Sequence, residues 1–295
     1  MRTSIEYQNR IHGGFFVLAC DHRKQFVAIA DTLGASVQRL PRFKRLAVEA
    51  AVRIKATGEN VGTICDDQYG RDALRDATES GLWSARPIEV PGTKPIEFVT
   101  GPAVDAGLRE WPEEQVVKCL CAFDLDDPQD VRERQEQSLL EVYRACHLAG
   151  REFLLEIIPA GRYANRGEAV AGVIGHLYRK GIRPDWWKLE PFDDARSWRL
   201  ITRTIGENDP ECRGILLLGL DFGREALHRS FEVTAAYPAV RGFAVGRAIV
   251  DAPIRAWLKD EIDDGEAVGA MAGALSGLID VWKSSRKRPG FAAGD

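Results

Sequence analysis

The chain has 295 residues, of which 45% are hydrophobic and 28% are charged, and its formal net charge is −4. These values are typical of a soluble globular protein, and the interspersed acids and bases exclude the basic patches of a nucleic-acid-binding protein. The longest apolar runs, such as residues 214–220, are too short to span a bilayer, and the first residues lack the apolar core of a signal peptide. The sequence therefore predicts a cytoplasmic protein that binds neither nucleic acid nor membrane.

The six cysteines are predicted to be reduced thiols of the core, because most of them lie in apolar, strand-like segments. Cys119 and Cys121 share one face of a strand, but no second pair completes a metal site. The five histidines likewise form no ligand cluster at the ends of strands. We therefore expect no metal and no other cofactor.

Short apolar segments alternate along the chain with longer amphipathic ones. Strands are predicted over residues 14–20, 61–65, 86–90, 116–122, 153–158, 185–189, 214–219 and 241–245. Helices are predicted over residues 42–57, 71–79, 128–149, 166–180, 194–205, 224–235, 248–261 and 266–282. Residues 91–112, which are rich in proline and glycine, are predicted to be mostly loop.

The alternation predicts an α/β protein that folds as a single (β/α)8 TIM barrel, because eight strand–helix units fit within fewer than 300 residues. The barrel domain is predicted over residues 1–283, and residues 284–295 are predicted to form a flexible tail. A doubly wound open sheet is the alternative. It is disfavoured because no strand ends in a glycine-rich turn of the dinucleotide-binding or P-loop type.

Lys188 lies in the middle of a short apolar segment, residues 185–189. A structural strand of this length is normally filled with Val, Ile and Leu. Burying an ammonium costs several kcal/mol unless the group is paired or loses its proton. A lysine without that proton is a nucleophile that can form a Schiff base with a ketone. Lys188 therefore indicates an enzyme that acts on a carbonyl compound.

Lys118, Glu156 and Lys188 are predicted on the inner faces of three successive strands. Side chains alternate between the two faces of a strand, which places Lys118 with Val116 and Lys188 with Trp186. Because a barrel interior is normally apolar, a functional cluster is the favoured interpretation. The alternative is a buried ion-pair network that only holds the barrel closed, although such networks often lower stability relative to apolar packing.

Polar residues also follow the first two predicted strands. Asp21, His22 and Arg23 follow the first strand, and Asp66 follows the second. At the carboxyl ends of barrel strands such residues are candidates for catalysis and substrate binding. The alternative is that Asp21 and Asp66 cap helices, with His22 and Arg23 in solvent.

Gly219, Gly246 and Arg247 follow the seventh and eighth predicted strands, where barrel enzymes commonly bind phosphate. Small residues let backbone N–H groups approach an anion, and an arginine adds two parallel hydrogen bonds. The alternative is glycine that serves turn geometry next to a surface arginine.

The motifs at the strand ends are specific in order and spacing: Asp21-His22-Arg23, Asp66 to Gly70, Lys118-Cys119-Leu120, Leu155-Glu156, Asp185-x-x-Lys188-x-Glu190 and Gly242-Phe243-x-x-Gly246-Arg247. They resemble class I ketose-phosphate aldolases of the tagatose-bisphosphate and sulfofructose-phosphate type. The closer resemblance, from about residue 14 to 282, is to the aldolase-like domain that is often fused to 5-dehydro-2-deoxygluconokinase in inositol catabolism. His22 departs from the glutamine of the tagatose group, and Gly219 lies where that group tends to carry a serine.

This resemblance implies a carbon–carbon lyase, a class I aldolase in which Lys188 forms the Schiff base and Glu156 moves protons. Lys118 and Asp21 would assist. The implied reaction cleaves 5-dehydro-2-deoxy-6-phosphogluconate to dihydroxyacetone phosphate and malonate semialdehyde in myo-inositol catabolism. The proton acceptor is left open between Glu156 and the pair Asp21 with His22.

The resemblance also implies substrate-binding residues at the strand ends. The phosphate would be held by Gly219, Gly246 and Arg247, and other parts of the substrate by His22, Arg23 and Asp66. The partner is thus a small phosphorylated sugar or sugar acid. Barrels of this kind commonly associate, so a homo-oligomer is compatible with the sequence.

Two alternatives to this function remain. The same chemistry fits tagatose 1,6-bisphosphate or a sulfofructose phosphate as the substrate. A non-catalytic, sugar-phosphate-binding accessory protein of a sugar kinase would keep Gly246 and Arg247, but it would not need Lys188 within a strand.

Overall fold

A computed structural model describes residues 14–159, 161, 163–219 and 224–287 of the chain. Eight parallel strands pair in chain order, and β8 pairs with β1 to close a barrel. The strands are β1 Phe15–Ala19, β2 Val61–Ile64, β3 Trp83–Pro87, β4 Val116–Cys121, β5 Phe153–Ile157, β6 Trp186–Leu189, β7 Gly214–Leu218 and β8 Val240–Val245. The predicted TIM barrel is confirmed.

Ten α-helices and a short 3-10 turn, Val37–Arg39, connect these strands in the described part of the chain. The helices are α1 Arg23–Leu33, α2 Leu40–Lys55, α3 Asp67–Glu79, α4 Val104–Arg109, α5 Gln129–Leu148, α6 Arg166–Arg179, α7 Ala195–Asn208, α8 Arg224–Thr234, α9 Arg247–Leu258 and α10 Asp264–Lys287. None of these described helices combines the length and the apolar character that crossing a bilayer would require.

Alternate residues of the strands fill the barrel interior: Phe15, Val17, Ala19, Ile64, Ala85, Val116, Leu154, Trp186, Leu216 and Ala244. The intervening residues, such as Phe16 and Phe243, pack against the surrounding helices. At the amino-terminal end, the Phe15 ring lies 5.1 Å from the Trp83 ring and 5.6 Å from the Trp186 ring, measured between centroids. Because aromatic rings fill that end, ionisable side chains on the same inner faces meet at the carboxyl end.

The third strand begins at Trp83, three residues before its predicted start at residue 86. Polar residues interrupt the apolar pattern of this strand in the sequence, and Arg86 is one of them. Its side chain points outward and lies 4.0 Å from the Trp111 ring centroid and 3.1 Å from Asp67. Beyond Pro87 the backbone stays beside β4, since the Ile88 N–H donates to the Lys118 carbonyl at 2.9 Å. This extension brings Glu89 to the carboxyl end of the barrel.

Two helices lie where none was predicted, α1 and the short α4 within residues 91–112. The buried residues of α1, Phe26, Ile29 and Ala30, do follow helical spacing. At the other end of the chain, α10 continues to Lys287 rather than stopping at Trp282, because the Arg286 guanidinium packs 3.1 Å from the Trp282 ring centroid. The predicted tail thus begins inside this helix, and residues 288–295 lie outside the described residues.

Candidate active site

The structure brings the three predicted barrel-interior residues together at the carboxyl end of β4, β5 and β6. Glu156 and Lys188 are register partners on neighbouring strands, and Lys188 Nζ donates to Glu156 Oε2 at 3.0 Å. The same oxygen lies 3.1 Å from Lys118 Nζ. Lys118, Glu156 and Lys188 are 2%, 4% and 6% exposed. One carboxylate oxygen therefore contacts two buried lysines.

Lys118 is surrounded by carboxylates on every side. Its Nζ lies 3.1 Å from Asp21, 3.3 Å from Glu89 and 3.1 Å from Glu156. An ammonium has three protons, so each can meet one carboxylate. Burial alone would lower the pKa of Lys118, but Asp21, Glu156 and Glu89 outweigh it and hold the pKa well above its usual value. The three carboxylates therefore favour the charged form of Lys118, which is not a nucleophile.

Lys188 has a different environment. Among the described residues its Nζ contacts one carboxylate, Glu156, and that carboxylate is shared with Lys118. Two of its donor positions thus have no partner within the described part of the chain. Lys188 is the lysine of the pair that can take up a further ligand.

The two carboxylates nearest to these lysines are ionised. Burial would raise the pKa of Glu156, but Lys118 and Lys188 lower it below its usual range. The same two lysines overcome the effect of burial on Asp21 and hold its pKa far below the ordinary value. Both groups are therefore proton acceptors at neutral pH.

His22 lies between this cluster and the start of α9. Burial lowers the pKa of His22 to about 4, against the opposing effect of Asp21, so its imidazole is neutral at neutral pH. Its Nδ1 is buried and has no hydrogen-bond partner among the described residues.

Gly219 and Gly246 directly follow β7 and β8, at the carboxyl end of the barrel. A Cβ on Gly219 would lie 2.7 Å from the Val245 side chain, and one on Gly246 would overlap the His22 ring and the Ala19 carbonyl oxygen. Gly246 is the N-cap of α9 without a capping side chain, and Arg247 is the first residue of the helix. The start of a helix is a common place for anions to bind.

Replacing Gly246 by alanine should lower the free energy of unfolding by about 1–3 kcal/mol, the usual cost of overpacking a filled site. The matched control is Gly273→Ala in α10, where an added Cβ meets no atom within 4 Å. Urea unfolding of both variants measures the difference. Equal stabilities would contradict the tight packing of Gly246 against His22.

Two predicted substrate-binding residues have partners within the chain. Arg23 is 7% exposed, and its Nη2 donates to the Glu89 carbonyl at 3.2 Å and to the Glu89 carboxylate at 3.3 Å. Asp66 is fully buried, caps α3 by accepting from the Tyr69 N–H at 3.0 Å, and forms an ion pair with Lys44. Asp66 thus caps α3, and contacts of Arg23 and Asp66 with a substrate remain predictions.

Two acidic residues of the site were not among the candidates. Glu89 contacts Lys118, and Glu190, 3% exposed, forms a double hydrogen bond with Arg166, whose Nη2 lies 2.8 and 2.7 Å from its two oxygens. A buried glutamate two residues after Lys188 was visible in the motif as Lys188-x-Glu190. Its partner Arg166 is 24 residues away, so local sequence could not identify it.

The described residues contain no group of three or more His, Cys, Asp or Glu side chains arranged to hold a metal ion. The acidic side chains of the site instead surround lysines. A carboxylate in contact with lysine amines is an arrangement that can serve acid–base and nucleophilic chemistry.

Comparisons with known proteins identify a family and a fold. Residues 4–286 match the family described as uncharacterized protein conserved in bacteria (DUF2090). No curated protein matches the chain in sequence. The solved structure of Cgl0159 from Corynebacterium glutamicum is 18% identical, with 94% of each chain covered and a TM-score of 0.54.

Two further solved structures are fructose-bisphosphate aldolases. That of Plasmodium falciparum is 13% identical over 96% of this chain and 94% of its own, with a TM-score of 0.64. That of Slackia heliotrinireducens is 12% identical over 90% of this chain and 88% of its own, with a TM-score of 0.56. At such low identities the comparison establishes a shared (β/α)8 barrel fold and nothing finer.

Proposed function

The chain belongs to the DUF2090 family of bacterial proteins, and from the chemistry of its barrel we propose that it is a class I aldolase that cleaves a ketose phosphate. The observation that carries this proposal is the pair of lysines on one oxygen of Glu156. Lys118 contacts three carboxylates, one for each proton of its ammonium group, whereas Lys188 contacts one carboxylate among the described residues. A Schiff-base enzyme needs one such lysine as nucleophile and a fixed cation beside it.

In the proposed mechanism, Lys188 transfers a proton to Glu156 and attacks the ketone carbon of the substrate. Lys118 stabilises the negative charge that develops on the carbonyl oxygen, and Glu156, in contact with both lysines, transfers protons as water leaves. The resulting protonated imine accepts the electron pair of the neighbouring carbon–carbon bond when that bond breaks. Hydrolysis of the remaining enamine, after protonation at carbon, returns free Lys188 and releases the ketone phosphate.

We propose 5-dehydro-2-deoxy-6-phosphogluconate as the substrate, on the strength of the sequence resemblance. Lys188 would attack C5, and the bond between C3 and C4 would break as the C3 hydroxyl loses its proton to Glu156. The products are dihydroxyacetone phosphate and malonate semialdehyde. Gly246, Arg247 and Gly219, at the ends of β8 and β7, would hold the phosphate. Cleavage rates with this sugar acid, tagatose 1,6-bisphosphate and sulfofructose phosphate would distinguish the candidate substrates.

Reductive trapping tests the Schiff base directly. Incubation with dihydroxyacetone phosphate and sodium borohydride should add one ketose unit per chain, and peptide mass spectrometry should locate it on Lys188. Protein treated with EDTA should be trapped equally, because the lysine route needs no metal. An adduct on a different lysine, or no adduct with any of the three candidate substrates, would refute the proposal. Binding of a sugar phosphate without adduct or cleavage would favour a non-catalytic accessory protein.

A further inference from the structure

We propose that Glu89 is a positioning residue for this site: its ionised carboxylate fixes the Lys118 ammonium between Asp21 and Glu156. The inference rests on the proposed aldolase function and extends it to a residue that contacts no reacting atom. Glu89 is 4% exposed and lies just beyond β3. Of the three carboxylates around Lys118, Asp21 and Glu156 belong to the motifs that carry the family resemblance, and Glu89 does not.

The surroundings of the Glu89 side chain are all hydrogen-bond donors. Oε1 lies 3.3 Å from Lys118 Nζ and 3.3 Å from Arg23 Nη2, and Oε2 accepts from the Leu120 N–H at 3.1 Å. Both oxygens must therefore accept, which only an ionised carboxylate can do. A glutamine would turn its NH2 group toward one of these donors in either orientation. The site thus requires glutamate specifically.

The backbone holds Glu89 in place as firmly as its side chain. The Val99 N–H donates to the Ile88 carbonyl and the Val90 N–H donates to the Glu97 carbonyl, both at 2.8 Å. The residues on either side of Glu89 are thus paired with residues 97 and 99. Arg23 Nη2 also donates to the Glu89 carbonyl at 3.2 Å. Glu89 therefore connects three elements: α1, the segment that follows β3, and β4. Lys118, which Glu89 contacts, in turn contacts Glu156.

Glu89 also differs from its neighbours in how it titrates. Burial raises its pKa, and Asp21 adds to the rise, while Lys118 and Arg23 oppose it. The nearby thiols of Cys119 and Cys121 stay neutral, because burial raises their pKa values well above the usual range. The pKa values of Asp21 and Glu156 are lowered. As the pH falls, Glu89 is therefore the first of the three carboxylates to take up a proton and to release Lys118.

The test compares Glu89→Gln with Glu89→Asp, using Glu97→Gln as the matched control on an exposed position of the same segment. Glu89→Gln should lower kcat by up to about 10²-fold, the loss that a displaced catalytic group can cause, with little change in KM. In the pH profile of kcat, the loss of activity at low pH (the acidic limb) should occur at a lower pH for Glu89→Gln than for the wild type, since the remaining carboxylates titrate there. Glu89→Asp should recover part of the rate, and borohydride trapping on Lys188 should persist in all variants.

The outcomes separate this inference from the proposed function. Wild-type protein that forms no borohydride adduct would refute the aldolase itself. An active wild type, together with a Glu89→Gln variant whose kcat and acidic limb match those of Glu97→Gln, would overturn the role of Glu89. If Glu89→Gln does not fold, as judged by circular dichroism, Glu89→Asp takes its place. A kcat and an acidic limb equal to those of Glu97→Gln would then overturn the role of Glu89.

Discussion

Replacing Lys188 by alanine should abolish cleavage, lowering kcat by about 10⁴-fold or more, as expected when a catalytic nucleophile is removed. Borohydride trapping should disappear with it. The fold should persist, because Glu156 keeps its contact with Lys118. Steady-state kinetics and circular dichroism of the purified variant measure the two effects, and Lys259→Ala, at an exposed lysine, is the control.

Lys188→Arg separates a nucleophile from a structural cation. Arginine keeps the positive charge and can still donate to Glu156, but it stays protonated and forms no Schiff base. We expect this variant to be folded and as inactive as Lys188→Ala. Turnover that survives in either variant would refute Lys188 as the nucleophile, and activity in the arginine variant alone would assign Lys188 to ion pairing.

Replacing Lys44 by methionine should give the largest loss of stability, about 3–5 kcal/mol in the free energy of unfolding. Lys44 and Asp66 are both fully buried, and Lys44 Nζ also donates to the Cys20 carbonyl at 2.5 Å. Without Lys44 the Asp66 carboxylate would be a buried charge with no counterion. Urea unfolding followed by tryptophan fluorescence measures the change.

The control for this prediction is an ion pair on the surface. Arg42 and Asp264 lie 2.7 Å apart with about half of each side chain exposed, so Arg42→Met should cost at most about 1 kcal/mol. The double variant Lys44→Met with Asp66→Asn should recover stability, since asparagine can still cap α3 but carries no charge. A loss for Lys44→Met no larger than for Arg42→Met would contradict this account.

The sequence was sufficient for the barrel and for the core of the site. Strand–helix alternation identified the fold, and the two-residue period of a strand placed Lys118, Glu156 and Lys188 on inner faces, where the structure has them. Both inferences depend on local patterns, which a single sequence contains. The proposed catalytic roles of these residues remain predictions.

The residues that local patterns could not interpret are those with distant partners. Arg23 pairs with Glu89, 66 positions away, and Asp66 pairs with Lys44, 22 positions away. No periodicity reports such contacts, so a single sequence predicts neither ion pair. The sequence does not single out Glu89 for a related reason: the predicted third strand, residues 86–90, starts three residues after β3 does and includes Glu89.

Lys118 spans the interior of the barrel, with its backbone in β4 and its ammonium 3.1 Å from Asp21, the residue that follows Cys20 after β1. This contact joins the first quarter of the ring to its middle, and the contact with Glu156 continues to β5. A fragment that ends after β4 would keep Lys118 with Asp21 but would lose its contact with Glu156. Lys118 therefore has all of its carboxylate partners only when both halves of the barrel are folded together.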